Sequence, residues 1–523
     1  MSGAAEYAVK MHHVTKTFGK VTANKDVNLE LRKGEIIALL GENGSGKTTL
    51  MNMLSGIYFP DHGEIYVKGE EVTIRSPKDS FALGIGMIHQ HFKLVDVLTA
   101  AENIMLGMEG KATVNRREIN KKVRELAEKY GFDLEPSKKI YNMSVSEKQT
   151  VEILKVLYKG ADILILDEPT AVLTPQETDR LFAVLRNMKK DGKSIIIITH
   201  KLNEVLAISD RVAILRKGEY IGVVNTQETD QTQLTEMMVG RPISLEIERP
   251  ETVRGEKRLQ VIDLTCLNGD GVKALDNVSF EAYGGEILGI AGIAGSGQKE
   301  LCEIIAGLYP SIGGSVLYSG NHEGVPVQER ILGLKPDEIV RKGISMAFVP
   351  EDRLGMGLVA GMDMTDNVML RSYKSNKGIF VDRKNPRELA EKLIDELEIV
   401  TPGVDTPVGR LSGGNVQKVL LGREIACHPS VLIVAYPVRG LDINSSYRIY
   451  DLLNEQKKKG VAVIFIGEDL DVLMQLSDRI MVMCGGKVSG IVDPKKVTKE
   501  DIGLMMIHAG DPKSGSGNEE VTA

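Results

Sequence analysis

The sequence predicts an α/β protein made of two tandem copies of one domain, each built on a parallel sheet. Val21–Gly41 matches Val272–Gly292 without a gap. Apolar runs of strand length alternate with helical patterns, as expected for strands that are buried on both faces of a sheet. The repeat comprises whole domains, because the repeat units of solenoid proteins are only about 20–50 residues long.

The spacing between the two copies grows along the chain. Val21 aligns with Val272 near the start of each copy, and Met143 aligns with Leu411 further on. The second of these separations is the larger, so the second copy carries extra residues between the two points. We expect them in residues 321–338, which are rich in Gly, Pro and charge.

Four segments are predicted from the repeat and from composition. The first domain covers 1–245 and the second 258–510. Residues 246–257 are polar, contain Pro and Gly, and are predicted to form the linker. Residues 511–523 are polar and rich in Gly and Ser, which predicts a disordered tail.

The elements of each copy follow from local patterns. The apolar runs Ile36–Leu40, Ile163–Leu166, Ile195–Thr199 and Val461–Ile466 predict buried strands. Apolar residues recur at helical spacing between Ile119 and Tyr130, which predicts an amphipathic helix.

Composition excludes several classes of protein. The chain has 523 residues, of which 42% are hydrophobic and 26% charged, and its net charge is −7. That charge disfavours a general nucleic-acid coat protein, which needs a basic surplus. The four cysteines form no CxxC pair, so we expect reduced thiols and neither a zinc site nor a disulfide framework. No secretory signal or apolar run of about 20 residues is present, so any membrane role must come through a partner.

A phosphate-binding loop is the most specific motif. Gly41–Thr48 fits the pattern GxxxxGK[ST], after the strand Ile36–Leu40 and before a helical pattern. The glycines allow backbone N–H groups to surround phosphate oxygens, and the helix N-terminus favours negative charge. Lys47 can reach the β- and γ-phosphates, and the Thr48 hydroxyl can bind Mg²⁺.

Polar residues at strand ends supply the remaining chemistry. Asp167 can hold magnesium and Glu168 can polarise an attacking water, although such a pair can also cap a helix. His200 ends another strand and can be a plain polar terminus. Gln90 can bind magnesium through its amide. Phe18 can stack on adenine or belong to the core, the commoner fate of Phe.

The set Lys47, Gln90, Asp167–Glu168 and His200 resembles the ATP-binding-cassette ATPases, and Arg410–Lys418 resembles their signature sequence. The resemblance implies two fused P-loop NTPase cassettes, each with a helical subdomain that carries the signature. It implies catalysis by Lys47, Gln90, Glu168 and His200, and a magnesium ion held by Thr48, Gln90 and Asp167. The implied ATP-binding residues are Phe18, Gly41, Asn43, Gly44, Ser45, Gly46, Lys47, Thr48, Thr49, Ser412, Gly413, Gly414 and Asn415.

The second copy departs from the family pattern in its nucleotide-binding half. Gln298 replaces the lysine, Lys299 the hydroxyl residue, Ala435 and Tyr436 the acidic pair, and Glu468 the histidine. Gly269 stands at the position of Phe18. We expect this loop to hydrolyse nothing.

The signatures differ in the opposite sense. Val145 and Ser146 replace the two signature glycines in the first copy, whereas Ser412–Gly414 is intact. The resemblance implies that cassettes pair head to tail, so each phosphate loop faces the opposite signature. All the defects then fall in one composite site, which leaves one working site per chain.

The overall pattern is similar to tandem ATPase subunits of bacterial sugar and nucleoside importers, and His89–Phe92 and Val349–Arg353 favour the nucleoside branch. This implies two permease subunits, a basic-membrane-type binding lipoprotein, and a place on the cytoplasmic face of the cell membrane, without nucleic acid. The alternatives are a sugar importer, a soluble tandem cassette factor acting on ribosomes or DNA, and a scaffold that only binds nucleotide.

Overall fold

The computed structural model describes residues 7–19, 21–89, 92–107, 116–171, 173–241, 246–322, 325–373 and 381–507. The chain divides into two compact units, Met1–Leu245 and Glu246–Ala523, called here the first and the second unit. Both contain β-sheets flanked by helices, which confirms the predicted α/β class. Gln90 and the predicted tail lie outside the described residues. Across the described part of the chain, no helix has the length and apolar character that crossing a bilayer requires.

The first unit combines an antiparallel group of strands with a parallel sheet. Strands β9, β3, β8, β7 and β6 are parallel neighbours in that order, and β1, β2, β4 and β5 pair antiparallel. Its strands are β1 (Tyr7–Phe18), β2 (Val21–Arg32), β3 (Ile36–Leu40), β4 (His62–Val67), β5 (Glu70–Glu71), β6 (Ile85–Ile88), β7 (Ile163–Asp167), β8 (Ser194–Ile198), β9 (Arg211–Arg216) and β10 (Glu219–Asn225). Its helices are α1 (Lys47–Leu54), α2 (Pro77–Ala82), α3 (Ala100–Met105), α4 (Arg116–Tyr130), α5 (Val145–Tyr158), α6 (Pro175–Lys190), α7 (Leu202–Ile208) and α8 (Gln231–Val239).

The second unit repeats this plan with two sheets, ordered β12-β11-β14-β15 and β16-β17-β18-β13-β19-β20. Its strands are β11 (Lys257–Leu267), β12 (Lys273–Tyr283), β13 (Ile287–Gly292), β14 (Gly313–His322), β15 (Val325–Arg330), β16 (Met346–Val349), β17 (Val431–Ala435), β18 (Ala462–Ile466), β19 (Arg479–Cys484) and β20 (Lys487–Val492). Its helices are α9 (Gln298–Ile305), α10 (Pro336–Arg341), α11 (Met364–Met369), α12 (Lys384–Glu396), α13 (Gly413–Ile425), α14 (Ile443–Lys458), α15 (Leu470–Leu476) and α16 (Lys499–Ile507).

Buried apolar side chains cover both faces of the parallel strands. Every residue of β3, β8 and β18 is buried, which accounts for their apolar sequences, broken only by Ser194 at the start of β8. In α4, by contrast, only one face is buried, at Val123, Ala127 and Tyr130. The strands and the amphipathic helix predicted at these places are confirmed.

The extra residues of the second unit are not all where the sequence predicted them. Ile85 pairs with Ile163 as Met346 pairs with Val431, which makes β16 the counterpart of β6. The helix caps Thr99 and Asp363 correspond in the same way. These correspondences place more than half of the extra residues before β16, where the hairpin β14–β15 extends the sheet. The rest enter the turn before α11 and the segment after it, so placing all of them in 321–338 was wrong.

Residues 246–256, predicted as part of a linker, belong to the second unit and pack against its other residues. We call them the strap. Asn454 donates a hydrogen bond to the Glu248 carbonyl (3.1 Å), and Lys457 donates one to the Pro250 carbonyl (2.7 Å). The Thr252 hydroxyl donates to the Gly285 carbonyl. The strap is therefore held along its length by side-chain and backbone hydrogen bonds.

Candidate functional site

The loop Gly41–Gly46 connects β3 to α1 in the first unit. Gly46 precedes α1 with φ of 95°, and no side chain caps this helix N-terminus. The buried Ser45 hydroxyl has no hydrogen-bond partner among the described residues. Uncapped N–H groups and an orphaned hydroxyl fit a bound phosphate, because both need an acceptor.

Lys47 begins α1 and is buried. Its ammonium donates to the carbonyls of Gly41 (2.6 Å) and Glu42 (3.0 Å). Burial lowers the pKa of Lys47, and the charges of Glu168 and Asp167 partly offset this effect. A cation in this position is desolvated and gains most from an anionic ligand.

Asp167 ends β7 and Glu168 follows it, with both carboxylates only partly exposed. Burial and the charge of Glu168 raise the pKa of Asp167 to about 6. Two partly buried carboxylates side by side are a natural place for a cation, and the Thr48 hydroxyl and Asp167 are oxygen ligands of the kind Mg²⁺ prefers. The residues present thus fit a magnesium ion.

Glu168 has a defined partner. His200, just beyond β8, donates from Nδ1 to Glu168 Oε1 at 2.9 Å. This hydrogen bond holds the pKa of Glu168 below its ordinary range, ahead of the opposing effect of burial. The Glu168 carboxylate is therefore ionised near neutral pH and can accept a proton.

The other predicted residues lie as follows. Phe18 ends β1, is exposed, and meets Tyr58 edge-on with ring centroids 5.1 Å apart. Asn43, Gly44 and Thr48 are exposed on the loop and on the first turn of α1. In the second unit, Ser412 caps α13, accepting from the Asn415 backbone N–H (3.4 Å) and side-chain amide (2.9 Å).

The corresponding loop of the second unit has a glutamine in place of the lysine. Gln298 is buried and donates to the Ile293 carbonyl at 3.3 Å. The matching register of β6 with β7 and of β16 with β17 aligns Glu351 in sequence with Gln90. Arg439 forms ion pairs with both Glu351 and Glu468, the latter at 3.1 Å. Carboxylates thus replace the amide of Gln90 and the imidazole of His200 at the aligned positions, and Ala435 offers no metal ligand.

Sequence reasoning missed the residues that hold the loop after Glu168. Gln149 donates to the Pro169 carbonyl, and Thr170 donates to Glu204. A usable signal was present for Gln149, since the aligned position in the second copy is also Gln, at 417.

A glycine loop between a buried strand and a helix, with a lysine and strand-end carboxylates beside it, defines a phosphate-loop nucleotide-binding protein. The family model described as "ABC transporter" matches residues 24–171 and again 275–437. The chain belongs to the ABC transporter family, and the predicted tandem cassettes are confirmed.

Curated relatives match over nearly the whole chain. The nucleoside import ATP-binding protein NupA of Lactococcus lactis is 42% identical, over 96% of this chain and 99% of its own length. The guanosine import ATP-binding protein NupO of Bacillus subtilis is 41% identical, over 98% and 100%. The glucose import ATP-binding protein TsgD13 of Haloferax volcanii is 38% identical, over 97% of each chain.

Proposed function

We propose that this chain is the ATP-hydrolysing subunit of a membrane importer for nucleosides. The observation that carries the hydrolytic role is the grouping of Lys47, Asp167, Glu168 and His200 around one glycine loop. The nucleoside cargo is supported by NupA and NupO, the relatives named for nucleoside and guanosine import. A sugar cargo is the second candidate, because TsgD13 is named for glucose import.

Binding of ATP turns Lys47 from its own loop toward the substrate. Its ammonium exchanges the carbonyls of Gly41 and Glu42 for phosphate oxygens, while the Ser45 hydroxyl and the N-terminus of α1 gain an acceptor. Thr48 and Asp167 would hold Mg²⁺, with Gln90 as the third ligand predicted from sequence. Magnesium, when bound, neutralises phosphate charge.

Glu168 accepts the proton of the attacking water. The water oxygen forms a bond to the γ-phosphorus while the bond to the ADP oxygen breaks, which yields ADP and phosphate. His200 fixes the carboxylate through its Nδ1 hydrogen bond and keeps it ionised. General bases of this kind contribute about 10²–10⁴-fold to rate.

We further propose that Ser412–Asn415 complete this site and that Phe18 stacks on the adenine. The support for the signature is sequence asymmetry, because the intact loop and the intact signature belong to different copies. One working site per chain follows. This chain lies on the cytoplasmic face of the cell membrane in the proposed importer. Two transmembrane permease subunits and a substrate-binding lipoprotein complete the assembly.

The hydrolytic role is tested with Glu168→Gln in the full-length chain. We expect ATP binding to persist while turnover falls by about 10²–10⁴-fold, because the amide cannot accept the proton. Steady-state hydrolysis and binding of a fluorescent ATP analogue measure the two properties. Near wild-type turnover would contradict the role of Glu168.

Uptake by intact cells tests the transport role. Cells that lack the gene are complemented with the wild type or with Glu168→Gln, and uptake of labelled guanosine and ribose is followed. We expect only the wild type to restore guanosine uptake. Restoration of ribose uptake alone would show a sugar importer, and co-purification with ribosomes instead of permease subunits would show a soluble cassette factor.

A further inference from the structure

Glu168 has a backbone conformation that its surroundings must impose. Its φ of 47° lies in the left-handed region, which costs a residue other than glycine on the order of 1–3 kcal/mol. Its N–H donates to the Ile198 carbonyl at 2.8 Å, and its carbonyl accepts from the Ala171 N–H at 3.3 Å. These two backbone bonds fix the turn in which the carboxylate is presented.

Besides the Lys201 ammonium, which donates to the Thr170 carbonyl at 3.1 Å, the side chains of Gln149 and Thr170 also hold this turn. Gln149 of α5, only 4% exposed, donates from its amide to the Pro169 carbonyl at 2.5 Å. The buried Thr170 hydroxyl donates to Glu204 of α7. Each anchor acts within two residues of Glu168 and joins its turn to a different helix.

The same turn in the second unit has the same backbone but lacks both anchors. Tyr436 has φ of 48°, and its N–H donates to the Ile466 carbonyl at 2.9 Å. Gln417 aligns with Gln149 and is fully buried, yet within the described residues neither amide atom has a hydrogen-bond partner. Val438 stands at the position of Thr170 and offers no hydroxyl.

We propose that Gln149 and Thr170 are positioning residues for hydrolysis, acting on Glu168 through the backbone of its turn. The second unit shows that the turn forms without these anchors, so the fold does not require them. The two anchoring hydrogen bonds occur in the unit whose turn carries Glu168, and both are missing in the unit whose turn carries Tyr436. The proposal rests on the role proposed above for Glu168.

The test compares Gln149→Leu with Gln417→Leu in the full-length chain. Leu removes the donor and keeps much of the volume, so Gln149→Leu should lower kcat by about 10- to 100-fold, as a displacement of about 1 Å in a reacting group does. The KM for Mg-ATP should change by less than about twofold. Gln417→Leu removes an amide without partners, so kcat should stay within about twofold of the wild type.

Thr170→Val is an independent second variant, because it copies the residue of the second unit. We expect the same loss of kcat at constant KM, with a thermal midpoint close to that of the wild type; if Gln149→Leu does not fold, Thr170→Val decides. Unchanged kcat in a folded anchor variant, equal losses in both Leu variants, or a parallel loss of ATP affinity would overturn the proposal. Glu168→Gln distinguishes a failure of the proposed function from a failure of this proposal. If Glu168→Gln stays active, the role of Glu168 is wrong. If Glu168→Gln is inactive while the Gln149 and Thr170 variants have normal kcat, only the positioning role is wrong.

Discussion

Gly46 is subject to two separate constraints. Its φ of 95° is a conformation that other residues rarely adopt, and a Cβ there would lie 2.3 Å from the Ala23 carbonyl oxygen. Gly44 shares only the first constraint, because its φ is 80° but no atom lies within 4 Å of the Cβ position. The two glycines of one motif are therefore not equivalent.

Gly46→Ala should abolish ATP binding, because the loop and β2 must separate to admit the methyl group. Gly44→Ala should cost only the backbone strain, about 1 kcal/mol, and weaken binding less than about tenfold. Titration with a fluorescent ATP analogue measures both affinities. Equal ATP affinities in the two variants would show that the close contact between Gly46 and β2 is not needed for nucleotide binding.

The strap covers an ion pair of the second unit whose counterpart in the first unit is exposed. Lys457 near the end of α14 is fully buried and donates to Pro250 and to Asp478, each within 2.8 Å. The aligned Lys189 of the first unit pairs with Asp210 but is 35% exposed. The same ion pair is therefore a surface contact in one unit and a buried contact in the other.

Lys457→Met should destabilise the second unit by about 2–3 kcal/mol, below the roughly 3–5 kcal/mol of fully buried pairs because Asp478 is partly exposed. Lys189→Met should cost about 1 kcal/mol or less. Hydrogen exchange of the aligned strands β19 and β9 in the full-length chain measures the opening free energies. A similar loss of opening free energy in both variants would show that the strap does not make the Lys457–Asp478 pair more important for stability than the exposed Lys189–Asp210 pair.

The proposed function assigns the complete set of hydrolytic residues to the first unit. Gln298→Lys restores the phosphate-binding cation of the second loop, but Ala435 and Tyr436 still provide neither metal ligand nor base. We expect Gln298→Lys in a Glu168→Gln background to hydrolyse ATP no faster than Glu168→Gln alone. Steady-state hydrolysis that is faster in this double variant than in Glu168→Gln alone would contradict a single working site.

The sequence predicted those features that depend on local pattern. Buried strands such as β3 and β8 appear in the sequence as apolar runs, and the motif Gly41–Thr48 marks both the loop and the first two residues of α1. It did not predict the Gln149 anchor, because nothing in a helical sequence shows which carbonyl an amide will reach. The positions of the inserted residues also escaped prediction, since strand register and helix caps, not composition, locate them.

The shared left-handed turn at Glu168 and Tyr436 has a consequence for the history of the molecule. The unfavourable φ is useful at Glu168, whose carboxylate must project from a sharp turn. Tyr436 has the same φ without such a role. Duplication of an ancestral cassette that already had this corner explains why both units keep it. Divergence then replaced side chains on an inherited backbone, so a protein engineer who seeks a second working cassette starts with a corner of the right shape.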